Sequence, residues 1–493
     1  MLGDVGSGWH QVTSELAYER SGPDRYLSAF GLLAAFVREE RQRNEHQHRE
    51  FGVTFDDTAR AAVGRASAKL WTIRQLSLAV ARSLERGAAP AVEAALVKDI
   101  GTLYEQEVVE VLRHVAGQEI DPGGPGLFER LLAEAVQTAP SFTLPRRHHR
   151  GAAQYRGQGP DRGRPMSAPS DADLVAEAVG EVLRARCPQD VVAAAERTGW
   201  APELWAAVAA GGFPWVSVPE DAAGGVAVGG SVAEACAVLE QVGRYAAPLP
   251  VAETGLLGGW LLAAAGFEIP SGPVTTAATA GWSGTSSADT GEEGRRPASV
   301  SLRQENGDWV AAGSVARVPW AREAARIVLL ADSPDGLQVV ALDPGAARIT
   351  PGTNLAAEPR DTVHLDDVPV GGAGGGEVAP APDGVSHDAL LLRGALSRAA
   401  LIAGAAGRIL DITVTYTGQR QQFGRPVARF QAVAAHLVRL AEQTETVRMA
   451  ARVAAANTRA EPPFLDIAAA ATVAGESAGL IAAARTRRPA RWA

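Results

Sequence analysis

The sequence predicts a mainly α protein, built of helical bundles with one small antiparallel β-domain. Three observations carry that expectation. Apolar residues recur every three to four positions along most of the chain. The period changes to two only between 298 and 370. Stretches rich in Gly, Pro or Ser fall where the helical period is lost.

Residues 9–43 and 57–137 read as helical. Trp9, Val12 and Leu16, then Leu70, Ile73, Val80 and Leu84, recur at helical spacing. Gly87 and Pro90 break the second stretch; a new helix runs from about Val92 to Ala116, and Asp121–Gly126 stops it. Residues 145–165, PRRHHRGAAQYRGQGPDRGRP, are basic and have no apolar period, so they read as an irregular linker. Met166 opens a second helical region that continues to about 267, and residues 268–297 are rich in Gly, Ser and Thr. From Ala298 to Val370, Val310, Ile327–Leu330, Leu337–Leu342 and Thr362–Leu365 predict strands. Turns such as Asn306-Gly307 and Asp335-Gly336 separate them. The glycines of 371–377 read as a flexible hinge. From about 386 the helical period returns. The segments are therefore 1–144, the linker 145–165, 166–270, 298–370 and 386–484, and no period of 20–50 residues repeats.

Of the 493 residues, 46 % are apolar and 21 % charged, a globular composition. A net charge of −9 excludes a general electrostatic attraction to nucleic acid or an anionic membrane. Two cysteines, Cys187 and Cys236, make neither a disulfide framework nor a four-cysteine zinc site. His46 and His48 sit among Arg and Glu, and His148-His149 has no ligand partners, so no metal site is expected. Motifs of the forms GxxxxGK[ST], GxSxG and HExxH do not occur. The start, Met-Leu-Gly-Asp, lacks the features of a secretory signal. The longest apolar runs are 254–267, which is short, and 464–484, which Asp466 and Glu476 interrupt. No membrane span is expected, and a cytoplasmic protein is. Among 47 basic residues only Lys69 and Lys98 are lysine, a bias that GC-rich coding DNA produces.

Two short motifs bear on chemistry. Gly3-Asp4-Val5-Gly6-Ser7-Gly8-Trp9 enters a helix that carries Tyr18-Glu19-Arg20, an acid beside a base. Arg420-Gln421-Gln422-Phe423-Gly424-Arg425-Pro426, followed by Phe430-Gln431, puts an arginine near the end of a helix that Gly424 and Pro426 terminate. An arginine, an aromatic ring and freed backbone at a helix end suit a diphosphate.

These motifs resemble the acyl-CoA dehydrogenases. Trp205, Val218-Pro219-Glu220 with Gly224-Gly225, Gln241-Val242-Gly243 and Pro248-Leu249-Pro250 resemble the family's N-terminal helical domain. Thr350-Pro351-Gly352 and Asp367-Val368-Pro369-Val370 resemble its middle β-domain. YTGQRQQFGRPVARFQ resembles its third, helical domain, and residues 1–144 resemble a third domain from a second copy. The chain thus looks like the last third of one dehydrogenase fused to most of another, its C-terminal domain truncated. The resemblance implies an FAD flavoenzyme of the oxidoreductase class. It would carry out α,β-dehydrogenation of an acyl-CoA thioester in lipid or steroid degradation, with electron-transfer flavoprotein as partner and a homo- or hetero-oligomeric state. Glu19 would be the catalytic base with Arg20 its orienting neighbour; Arg420, Phe423, Gly424 and Gln431 would bind FAD. Gly394-Ala395 stand at the base position of the second copy, which therefore resembles the partner type without a base.

The resemblance also breaks. After Leu144 the family places a GGTTE turn. Reverse translation with permitted codons, dropping one base after Leu144, turns the linker into RGGTTEVLRNIAARG. A two-base shift over Ala484–Ala493 gives AHQAxGAMG, like the family's HQxxGAxG turn over FAD. Both ends of the flavin site thus read as out of frame, and weak or no FAD retention by this chain alone is expected. Arg317-Val318-Pro319 stands where many relatives place Trp-Ile-Thr against the flavin. The alternative function is a non-catalytic helical subunit or frameshifted gene remnant without a complete flavin site.

Overall fold

The computed structural model describes residues 18–50, 57–117, 121–139, 170–224, 228–279, 300–305, 307–371, 376–459 and 463–486. The linker 145–165 and the last residues, 487–493, lie outside them, and so do both shifted-frame readings apart from the backbone of 484–486. The chain forms two compact units. Unit one gathers 1–168, 409–450 and 472–493; unit two gathers 169–408 and 451–471.

Unit one begins, among the described residues, with a helical turn over 18–20. Helices follow at Asp24–Leu27 (α1), Phe30–Glu50 (α2), Asp57–Glu85 (α3), Ala91–Ala116 (α4) and Leu127–Thr138 (α5). The break at Gly87 and Pro90 and the stop after Ala116 fall where the sequence puts them; Gly117 takes the left-handed conformation that ends α4 (φ 59°). Leu32, Phe36, Ile73, Val108, Leu112, Phe128 and Leu132 fill the core of these helices. Phe36 and Phe128 meet at 5.1 Å between ring centroids. The Glu39 carboxylate accepts the Phe128 amide at 2.9 Å, satisfying a free donor at the start of α5.

Unit two opens with Asp171–Arg186 (α6), Gln189–Thr198 (α7), Pro202–Ala209 (α8) and Val232–Tyr245 (α9). Ser170 and Ser231 cap α6 and α9, each with an acid three residues on. A fully buried π-helical segment, Ala252–Gly259, then leads into Trp260–Ala265 (α10). Three long helices, His387–Gln419 (α11), Gln431–Asn457 (α12) and Phe464–Thr486 (α13), contribute residues to both units. In unit two, α9 and α11 touch backbone to backbone: a Cβ on Gly243 would stand 2.0 Å from the Leu401 carbonyl oxygen, and one on Gly404 1.7 Å from that of Glu240. Only glycine fits either place. By length and apolarity α11 and α13 suffice to cross a bilayer; Leu396, Ala399 and Ala403 of α11 and Ile467, Ala470 and Val473 of α13 are buried within the protein.

The sheet lies in unit two. Its strands are Val274–Thr276 (β1), Ser301–Glu305 (β2), Asp308–Pro319 (β3), Arg326–Ser333 (β4), Gly336–Leu342 (β5), Arg348–Thr350 (β6), Arg360–Val370 (β7) and Glu377–Pro380 (β8). The order is β6-β7-β3-β2-β4-β5-β8, with β1 beside β4. Pairing is antiparallel except that β1 and β2 each run parallel to β4. Val315, Ile327, Leu329, Val340, Leu342, Val363 and Leu365 form its core. Gly371 and Gly376, at the two ends of the glycine stretch, lie between strands of one sheet. Gly371 N–H donates to the Gly376 carbonyl at 2.9 Å, and the chain then adds β8 to β5.

Candidate functional site

Glu19 lies on the helical turn 18–20, exposed, with Arg20 half-buried beside it. The chain that follows, through α1, packs on α4. A Cβ on Gly101 would stand 2.8 Å from the Cβ of Arg25, so α1 approaches α4 as closely as a glycine allows. Ser28 Oγ donates to Glu105 Oε1 at 2.7 Å, and Ser77 Oγ donates to the Ser21 carbonyl at 2.6 Å. Between the two segments lie buried polar atoms without hydrogen-bond partners among the described residues, Arg25 Nε and Glu105 Oε2.

Burial pushes the Glu105 carboxyl above the usual carboxylate range; the Ser28 hydroxyl and the Arg25 charge offset part of that. Burial and the Arg25 charge lower the Lys98 ammonium pKa, Arg20 adds to this, and Glu19 and Asp99 oppose it. Lys98 and Glu105 are absent from the sequence-derived set. The readable signal is that Lys98, Gly101 and Glu105 lie at helical spacing on one face of α4, and that Lys98 is one of two lysines.

The second motif also lies in unit one. Gln421–Gln422 (β9) and Arg425–Pro426 (β10) pair antiparallel, so Phe423 and Gly424 form a two-residue turn with φ of 51° and 75°. Such turns favour Asn or Gly at both places. A phenylalanine there is strained, by about 1–3 kcal/mol on general grounds, and Phe423 is 85 % exposed. Its ring meets that of Phe430 edge-on at 6.1 Å, and the Arg425 guanidinium lies 4.2 Å over Phe430. Arg420 follows the last residue of α11, its N–H donating to the Tyr416 carbonyl at 2.8 Å. Its side chain is exposed, and no ion pair to it is found among the described residues. Gln431 opens α12, also exposed. The structure thus brings Arg420, Phe423, Gly424 and Gln431 onto one helix–hairpin–helix edge.

The β-domain offers less. Arg317 takes φ 61° at a bulge in β3. Val318 is fully buried, and the Pro319 carbonyl already accepts the Thr275 hydroxyl. Proline has no N–H, so the 317–319 segment presents no Pro319 donor to a flavin ring. In the helices of unit two, Glu253 on the π-helical segment pairs with Arg398 of α11. The Arg393 guanidinium stacks 4.2 Å over Trp260, and burial lowers its pKa to about 10. Burial pushes the Cys187 thiol up to about 11 and Cys236 up to about 12, so both are unreactive core residues. No cluster of metal-ligating side chains occurs among the described residues.

Residues 386–484 match the family model described as acyl-CoA dehydrogenase, C-terminal domain. The chain is 26 % identical over 267 residues to acyl-CoA dehydrogenase IpdE2 of Mycolicibacterium smegmatis, covering 53 % of this chain and 70 % of that protein. Residues 386–484 thus form a domain of the acyl-CoA dehydrogenase C-terminal type, and the chain as a whole resembles acyl-CoA dehydrogenases. It is also 28 % identical over 286 residues to acyl-CoA dehydrogenase FadE34 of Mycobacterium tuberculosis, covering 57 % of this chain but 35 % of that relative's length. Its fold resembles that of the ChsE4-ChsE5 complex from Mycobacterium tuberculosis. The TM-score is 0.52 and the identity 22 %, over 65 % of this chain and 86 % of that one. Helical bundles with a small, mostly antiparallel β-domain are thus the acyl-CoA dehydrogenase architecture in this chain.

Proposed function

We propose that this chain is an acyl-CoA dehydrogenase-type flavoprotein that dehydrogenates an acyl-CoA thioester at its α and β carbons. The observation that carries the reading is the placement of both motifs in one compact unit: the Glu19-Arg20 turn and the Arg420 hairpin. FAD, when bound, supplies the acceptor for the β-hydride. Arg420 is exposed at a helix end, a fit for a diphosphate. Gln431 at the start of α12 adds a neutral donor and acceptor, and the backbone turned by Phe423 and Gly424 places both on one edge. On this reading residues 1–144 and 386–484 are third domains of two copies, 166–270 an N-terminal domain and 298–370 a middle β-domain.

Glu19 removes the α-proton. A general base must come within hydrogen-bond reach of the proton it takes, and on this reading Arg20 orients the Glu19 carboxylate. Hydrogen bonding to the thioester oxygen acidifies that α-proton, and exclusion of water strengthens every charge interaction around it. On this reading the chain acts in lipid or steroid breakdown in the cytoplasm. Electron-transfer flavoprotein would be the acceptor and a homo- or hetero-oligomer the working state.

The test is Glu19→Gln in the flavin-loaded protein, assayed for acyl-CoA oxidation with an artificial electron acceptor. A general base contributes about 10²–10⁴-fold, so turnover should fall by at least about 100-fold. Unchanged turnover would remove Glu19 from the reaction.

A further inference from the structure

Arg393 and Arg398 both stand on the part of α11 that belongs to unit two. Arg398 meets an acid, the buried carboxylate of Glu253. Arg393 is 5 % exposed, and its guanidinium lies 4.2 Å over the ring of Trp260 on α10. Its Nε is sealed from solvent with no hydrogen-bond partner, and no carboxylate pairs with it among the described residues. Cys236 of α9 is the titratable neighbour, and burial holds that thiol neutral. We infer that Arg393 anchors a second ligand site, in unit two, that receives a carboxylate carried on an apolar body.

A buried cation without a counter-charge is costly. Packing on Trp260 needs only a side chain of that length, so the charge adds a cost that an incoming anion would offset. The ring takes the flat face of the guanidinium, which leaves the N–H groups along its edge for an acceptor. A carboxylate matches that edge with two oxygens, and its single charge balances the single charge of Arg393. No second cation acts on Arg393 among the described residues, as a phosphate dianion would need. Leu390 and Leu396, one turn before and after it on α11, are buried, and so is Cys236, which favours an apolar body behind the carboxylate. One residue on, a Cβ at Gly394 would meet nothing within 4 Å beyond its chain neighbours, so α11 borders open space there. Gly394 and Ala395 add neither acid nor base; these residues support binding and not proton transfer. The site is distinct from the Arg420 edge in unit one and does not depend on the reading of Glu19.

The probe is sodium hexanoate, added to the full chain, with sodium chloride at equal ionic strength as the reference. A ligand that binds the folded state raises the melting temperature, so hexanoate should raise it saturably, read by circular dichroism. Arg393→Met keeps a flexible side chain over Trp260 and removes the charge. Without hexanoate this variant should melt at or above the temperature of the unsubstituted chain. Its affinity for hexanoate, measured by calorimetry, should fall about 10-fold or more, the loss of charge-assisted hydrogen bonds. A second readout needs no substitution: hexanoate should protect Arg393 from phenylglyoxal, followed by mass spectrometry, and leave Arg420 unprotected. No saturable effect of hexanoate, an equal effect in Arg393→Met, or equal protection of both arginines overturns the inference. An Arg393→Met chain that melts well below the unsubstituted one, with hexanoate inert on both, assigns Arg393 to packing and also overturns it. Inorganic phosphate that protects Arg393 as well as hexanoate does overturns the assignment to a carboxylate.

Discussion

Glu253 and Arg398 form an asymmetric ion pair, and the asymmetry is testable. The Glu253 side chain is 1 % exposed, whereas that of Arg398 keeps 44 % exposure. Replacing Arg398 with Met strands a carboxylate inside the protein, which costs about 3–5 kcal/mol when a buried charge loses its partner. Replacing Glu253 with Gln strands a guanidinium that reaches water, where an ion pair is worth about 1 kcal/mol or less. Replacing both, Glu253→Gln with Arg398→Met, strands no charge and should recover most of the larger loss. Six of the seven described tryptophans, 200, 205, 215, 260, 309 and 320, belong to unit two. Urea unfolding followed by tryptophan fluorescence therefore reads this region, compared at constant m. Equal costs for the two single variants, or a double variant as unstable as Arg398→Met, would refute the reasoning.

Gly404→Ala should destabilise unit two by about 3 kcal/mol or more, because its Cβ would meet backbone and not a movable side chain; the same urea experiment reads it. Arg420→Gln should weaken FAD binding about 10- to 100-fold, the loss of charge-assisted hydrogen bonds worth about 1.5–3 kcal/mol. Flavin fluorescence titration measures this, with unchanged circular dichroism as the folding control. Glu105 has a folded pKa raised by burial, so its contribution to stability is fully present below the unfolded carboxyl value and is lost as pH rises through the folded one. Glu105→Gln should therefore flatten the fall in stability as pH rises above the usual carboxyl range, measured by thermal melts of both proteins.

Which features were readable follows from how locally they are determined. The helix Ala91–Ala116 has an apolar stripe, a break before it and a glycine after it, all in the sequence. Ile327–Leu330 reads as a strand because a short apolar run between turns suits burial on both faces, and all four residues are fully buried. β1 and β8 are three and four residues long and sit in glycine-rich surroundings; pairing with β4 and β5 makes them strands, and no local pattern announces it. The π-helical geometry of AETGLLGG is equally silent, since its apolar residues also satisfy an α period. The Glu19 and Arg420 motifs could be read because short strings carry them. The burial of Glu105 against Ser28 could not, because its partner comes from a segment more than seventy residues away, brought there by the approach of Arg25 to Gly101.

The composition of unit one carries the argument one step further. Met449 of α12 packs on the cluster of Leu76, Val80, Ala94 and Val97 from α3 and α4. Glu476 of α13 meets Arg65 and Lys69 of α3, each at 3.4 Å. Exposed ion pairs of this kind contribute about 0–1 kcal/mol, so the apolar contact is the larger part of the attachment. Residues 409–450 and 472–484 of the C-terminal stretch thus share one compact unit with residues 1–144. Carrying both stretches on one backbone makes their contact intramolecular, so it does not depend on protein concentration. Dilution separates the subunits of a dimer; it leaves Met449 on its cluster.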